Sequence, residues 1–167
     1  MNKTIVLVGM MGSGKSSIGK TLSQKLGWNF IDTDSLIEKK AGVSIPLIFE
    51  LEGESGFRKR ESRVLEEVLN HENVVIATGG GVVTQSANRA ILKSFDGIVL
   101  YLKVEPEEAY ERTRFSNRPL LQTQDPLSRI KQLIGEREPF YQEVSTHSIN
   151  VTHRTTEDLV NEITQFI

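Results

Sequence analysis

The sequence predicts an open, parallel, doubly wound α/β sheet, and three observations carry that expectation. Strand and helix patterns alternate along the whole chain. Two strand patterns, at 74–78 and 98–102, are nearly continuous apolar runs, as expected of strands covered on both faces. The first strand pattern, Thr4–Val8, runs into Gly9-Met10-Met11-Gly12-Ser13-Gly14-Lys15-Ser16, and a helical pattern follows. That stretch fits G-x-x-x-x-G-K-S/T, the phosphate-binding loop, in the strand-to-helix context the pattern requires.

In chain order, the loop's glycines let successive backbone N–H groups curl toward phosphate oxygens, with the positive end of the next helix behind them. Lys15 would reach the β- and γ-phosphates, and the Ser16 hydroxyl would face Mg²⁺. The helix at 15–26 carries Ile18, Leu22 and Leu26 on one stripe and stops at Gly27. A strand at 29–32 leads into a short helix at 35–41 that stops at Gly42. Phe57, Val64, Leu65, Val68 and Leu69 form the stripe of another helix. Asp125 and Pro126 read as an N-cap and first helical residue, and Thr155 with Asp158 as a capping box for the last helix. The last strand is expected at 148–151.

Ligands of such sheets bind outside the carboxyl ends of the strands. The phosphate loop, Asp32-Thr33-Asp34, Gly79-Gly80-Gly81 and His153-Arg154 should therefore share one edge. The buried strand at 74–78 ends without the acid that commonly serves Mg²⁺, so Asp32 is the best replacement. Asp34 is then free to hold and deprotonate an acceptor hydroxyl, or it caps the short helix. The three glycines allow close approach of a ligand or positive φ. Arg58 reads as a helix-surface charge paired to Glu54 or Glu61. Arg137 lies on the apolar stripe Leu127, Ile130, Ile134, Tyr141, Val144. An inward guanidinium there needs an anion, from the protein or from a substrate. The polar segment 117–124 is either a surface loop or a lid that closes over ATP, with Arg118 extended because proline follows it. Arg154 could lie against adenine.

Composition bounds the partners. The 167 residues suit one domain, and the absence of cysteine excludes disulfides and thiolate metal sites. Twenty Lys+Arg against 22 Asp+Glu, net charge −2, argue against a nucleic-acid surface. No apolar run approaches a membrane span. The first strand starts within a few residues of Met1, so the expectation is a chain without targeting peptide in the cytoplasm.

Taken together, GMMGSGKSS, the DTD at 32–34, FRKRE at 57–61, TGGG at 78–81, RPLL at 118–121 and REPFY at 137–141 resemble shikimate kinases over almost the whole chain. Their order and spacing are jointly specific. The resemblance implies a three-layer αβα P-loop kinase of the nucleoside-monophosphate-kinase type. It has a five-stranded parallel sheet in the order 2-3-1-4-5 and a mobile lid. It implies one domain over 1–167, with substrate-binding helices at about 33–61 and a lid at about 112–125. The activity implied is transfer of the γ-phosphoryl group of ATP to the 3-hydroxyl of shikimate, on the route to chorismate and the aromatic amino acids, by a monomer. Asp34 would bind the acceptor hydroxyls and act as base. Arg58 and Arg137 would clamp the shikimate carboxylate, Gly80 and Gly81 would offer N–H groups, and Phe49 and Phe57 would wall the ring. Gly12, Ser13, Gly14, Lys15, Ser16 and Ser17 would hold the nucleotide phosphates. Arg118 would be the lid arginine, and Arg112 with Arg154 would flank adenine, Arg114 competing for the place of Arg112. Ser16 and Asp32 would hold Mg²⁺. Met10 stands where many relatives have proline, and Ser17 where threonine is frequent. Two other readings are a kinase of the same fold acting on gluconate or a nucleoside monophosphate, and a GTPase switch. The chain lacks the D-x-x-G and N-K-x-D motifs that the switch would need.

Overall fold

A computed structural model describes residues 3–167. Five strands, β1 (Thr4–Val8), β2 (Asn29–Asp32), β3 (Val74–Ala77), β4 (Ile98–Lys103) and β5 (His147–Asn150), form one parallel sheet in the order β2-β3-β1-β4-β5. Helices α1 (Lys15–Leu26), α2 (Thr33–Ala41), α3 (Ile45–Val68), α4 (Ser86–Ser94), α5 (Pro106–Thr113), α6 (Pro126–Val144) and α7 (Thr156–Thr164) cover both faces. Side chains alternate across a strand, so the central β1 feeds two cores. Ile5 and Leu7 pack with Ile18 and Leu22 of α1 and Leu159 and Ile163 of α7. Val6 and Val8 pack with Val64, Leu65 and Val68 of α3 and Tyr141 of α6.

Strand ends agree with the sequence expectations to within a residue. Thr78 leaves β3 but keeps its N–H and hydroxyl on the Leu7 carbonyl, at 3.2 and 2.7 Å. Gly27 and Gly42 end their helices at φ 71° and 74°, conformations that glycine adopts without a Cβ penalty. Asp125 caps α6 through the Ser128 N–H, and Thr155 caps α7 through the Asp158 N–H.

Three details depart from expectation. The cap of α2 is Asp32, which accepts from the Asp34 and Ser35 N–H groups at 3.0 and 3.2 Å; the helix thus starts at Thr33, two residues early, and Asp34 is not a cap. The stripe at 57–69 belongs to a helix that begins at Ile45 behind a Ser44 cap, and Gly53 (φ 73°, ψ 177°) breaks it. The 79–81 glycines are all outside the positive-φ set, so close approach alone explains them.

Candidate active site

One side of the site is built by the loop between β1 and α1. Gly9, Gly12 and Gly14 take positive φ, and the loop is pressed so tightly on its neighbours that a Cβ at Gly12 would stand 2.7 Å from the Ala109 carbonyl oxygen. Lys15 is buried, and its Nζ donates to the carbonyls of Gly9 (2.6 Å) and Met10 (2.9 Å) and to Ser13 Oγ (3.5 Å). Burial, helped by the nearby Arg118 charge, pushes the ammonium down to about 7, against the pull of Asp34 and Asp32. Ser16 Oγ donates to Asp32 Oδ2 at 2.6 Å. Asp32 thus caps α2 with one oxygen and meets the loop with the other.

A hydroxyl and a carboxylate are hard oxygen donors that suit Mg²⁺. Among the described residues no cluster of three or more His, Cys, Asp or Glu could hold a metal, so an ion here would draw its remaining ligands from phosphate and water. The pair therefore fits a magnesium–nucleotide complex better than a free ion.

A cleft of about 520 Å³ opens over this loop. Gly12, Gly14, Lys15, Ser16, Ser17, Asp32, Thr78, Arg112 and Arg154 line it. Ser13 is fully buried and stands outside that lining. Arg112 donates to the Gly12 carbonyl (3.1 Å) and pairs with Glu108, whereas Arg114 pairs with Glu111 and lies over the Phe115 ring, away from the cleft. Of the two competing arginines, only Arg112 faces the cleft. Arg154 pairs with Glu162, and His153 turns at φ 58° with its N–H on Glu108, outside the cleft lining.

Beside the cleft lies a pocket of about 260 Å³. Phe49 and Phe57 wall it with ring centroids 4.9 Å apart. Arg58 is not the surface charge its helix position suggests: it is buried and lines the pocket, paired to Glu61 at 2.9 Å and to Glu54 at 3.4 Å. Arg137, 4 % exposed, points Nη1 at no partner, and no protein carboxylate bonds it among the described residues. Asp34 Oδ1 is likewise buried and unpartnered. Burial first, then the neighbouring Asp32 charge, pushes the Asp34 carboxyl up. A buried guanidinium nitrogen and a buried carboxylate oxygen without partners both call for a ligand that carries an anion and a hydroxyl.

Gly79-Gly80-Gly81 closes the pocket floor by making room for these groups. A Cβ at Gly79 would crowd Asp34 and one at Gly81 would overlap the Arg58 guanidinium. Asp34, Arg118, Met11, Gly79 and Gly80 line both cavities and so form the seam between them. Arg118 is extended (φ −62°, ψ 125°), as the following proline requires, and leads into a 3-10 turn at Pro119–Leu121.

Two residues of this site were not singled out in the sequence. Glu61 is fully buried, and burial pushes it up to about 6 against the pull of Arg58. It sits on the same apolar stripe as Phe57, Val64 and Leu65, so a charge on a buried face was its signal, as for Arg137. Tyr141, counted only as an apolar stripe member, donates its hydroxyl to the Gly80 carbonyl.

Residues 11–167 match the family model described as shikimate kinase. A shikimate kinase of Nitrosococcus oceani is 48% identical over 164 residues, 98% of this chain and 86% of that relative. The solved shikimate kinase of Acinetobacter baumannii, in complex with shikimate, is 44% identical with a TM-score of 0.95, over 99% of this chain and 93% of that one. That of Bacteroides thetaiotaomicron is 32% identical with a TM-score of 0.90, over 99% and 98%.

Proposed function

The chain belongs to the shikimate kinase family, and from that premise we propose how its residues divide the transfer of the γ-phosphoryl group from ATP to the 3-hydroxyl of shikimate. The observation that carries the division of labour is the seam. Asp34 borders both cavities and holds an unpartnered oxygen there, where donor and acceptor would meet.

In this reading ATP lies in the larger cleft, with its phosphates on the N–H groups of residues 12–17 and on Lys15, and its adenine between Arg112 and Arg154. Lys15 leaves the loop carbonyls for the β- and γ-phosphates. Ser16 directly and Asp32 through water would hold Mg²⁺, whose charge offsets that of the phosphates. Shikimate fills the smaller pocket. Its carboxylate meets Arg137 and Arg58, its ring lies against Phe49 and Phe57, and Gly80 and Gly81 offer it backbone N–H groups. The 3-hydroxyl oxygen bonds to the γ-phosphorus, the bond from that phosphorus to the β,γ-bridging oxygen breaks, and the hydroxyl proton passes to Asp34. An upward-shifted carboxyl is a better proton acceptor than an ordinary one. Arg118 neutralises charge on the moving phosphoryl group.

The segment at about 112–125 acts as the lid, the helices at about 33–61 as the acceptor-binding part, and 1–167 as one catalytic domain. No helix among the described residues is long and apolar enough to cross a membrane. We take the enzyme to act as a monomer in the cytoplasm, with no nucleic-acid or membrane partner. A coupled assay of ADP release with MgATP tests the whole: turnover should require shikimate, with shikimate 3-phosphate as product. Turnover on gluconate or a nucleoside monophosphate with shikimate inert would overturn it.

A further inference from the structure

We propose that Tyr141 is a positioning residue for the acceptor, its hydroxyl fixing the Gly80–Gly81 peptide. This rests on the reading of the smaller pocket as the shikimate site.

The hydroxyl has one proton and two lone pairs, and its neighbours dictate their use. The Gly80 carbonyl can only accept, so the tyrosine proton goes there. Burial pushes the phenol up to about 12, against the pull of the Arg137 charge, so the proton stays on the hydroxyl and is available for that bond. Arg137 and Tyr141 sit one turn apart on α6, which carries both toward the same glycine. A Cβ built on Gly80 would stand 3.6 Å from Arg137 Nη1. The Tyr141 hydroxyl and the Arg137 guanidinium thus both approach Gly80 from α6.

The Gly80 carbonyl and the Gly81 N–H belong to a single trans peptide plane and point in opposite directions. Drawing the carbonyl toward α6 turns the Gly81 N–H the other way. A glycine pair has no side chain to hold that plane, and a glycine backbone is freer than that of any other residue type. Tyr141 supplies the missing constraint. The ring is itself held: it is 1% exposed and stacks on Tyr101, centroids 5.1 Å apart. That role does not need the hydroxyl to touch shikimate.

The test is Tyr141→Phe, which keeps the ring stack and removes only the hydroxyl. The control is Tyr101→Phe, which removes the other hydroxyl of the stack, on the side of Glu138. With Tyr141→Phe the KM for shikimate should rise about 3- to 10-fold, the scale of one lost hydrogen bond. The KM for ATP should stay within about twofold, and Tm should match that of the control. A shikimate KM within about twofold of the parent enzyme would overturn the proposal. So would equal rises in both KM values together with a drop in Tm, which would make the hydroxyl a packing element only. A parent enzyme inert toward shikimate would instead remove the underlying reading, and the proposal with it.

Discussion

Glu61 and Asp34 turn unpartnered carboxylate oxygens toward the same glycine. A methyl group on Gly79 would stand 2.6 Å from Glu61 Oε2 and 2.9 Å from Asp34 Oδ1. Both carboxyls are pushed up by burial, and the Asp34 charge adds to the rise at Glu61. Two acids are thus packed around the one residue type that leaves them space.

Gly79→Ala should therefore act on chemistry more than on folding. Its methyl must displace at least one of the two carboxylates, a shift that costs about 1–3 kcal/mol in a packed site. The kcat/KM for shikimate should fall about tenfold or more, with a much smaller change in nucleotide affinity. Steady-state kinetics beside nucleotide titration without shikimate check this; unchanged kcat/KM would mean the carboxylates do not need their present places.

Asp34→Asn keeps the volume of the side chain and removes its ability to take a proton. MgATP should bind as before, because the cap of α2 and the partner of Ser16 is Asp32. Turnover should fall by about 10²-fold or more. A kcat near that of the parent enzyme would refute the proposed base.

Arg137→Ala should weaken shikimate binding by about 2–3 kcal/mol, the scale of a charge-assisted hydrogen bond. Because Arg137 has no protein carboxylate to leave stranded, the loss should fall on the acceptor rather than on stability. Calorimetric titration with shikimate reads the first and thermal unfolding the second. Collapse of ATP affinity instead would show that the arginine serves the donor.

Lys15 gives a pH signature with a definite sign. Without nucleotide its ammonium titrates at about 7, so near pH 8 it is mostly neutral. Triphosphate favours the charged form and raises that value, so binding takes up close to one proton near pH 8. Affinity for ATP should fall as pH rises above about 7. Calorimetry in two buffers of different ionisation heat measures the uptake, and Lys15→Met should abolish it. No uptake in the parent enzyme would show that Lys15 stays charged on the loop carbonyls.

How much of this was readable beforehand differs by residue. Strands β1, β3 and β4 are legible because their apolar runs have no other use. Arg137 is legible because a guanidinium interrupts an apolar stripe. That no protein carboxylate among the described residues pairs with it is not, since this depends on what α6 faces across the fold. As a helix cap the sequence offers Asp34; that Asp32, two residues earlier, takes the role depends on where β2 ends. The start of α3 was hidden because Gly53 breaks its periodicity. Lys15 folded back on Gly9 and Met10 has no sequence signature, because it is the loop's own carbonyls, absent from any motif, that hold it.

The two duties of Asp32 have a thermodynamic consequence. One carboxylate receives the Ser16 hydroxyl from the phosphate loop and the N–H groups of Asp34 and Ser35 at the start of α2. Anything that draws Asp32 toward the nucleotide is felt at the helix start that carries the proposed base. Such a linkage is reciprocal: the factor by which nucleotide changes acceptor affinity must equal the factor by which acceptor changes nucleotide affinity. Asp32→Asn should shrink both factors together, so a single residue would set the cooperativity between the two substrates without touching the second of them.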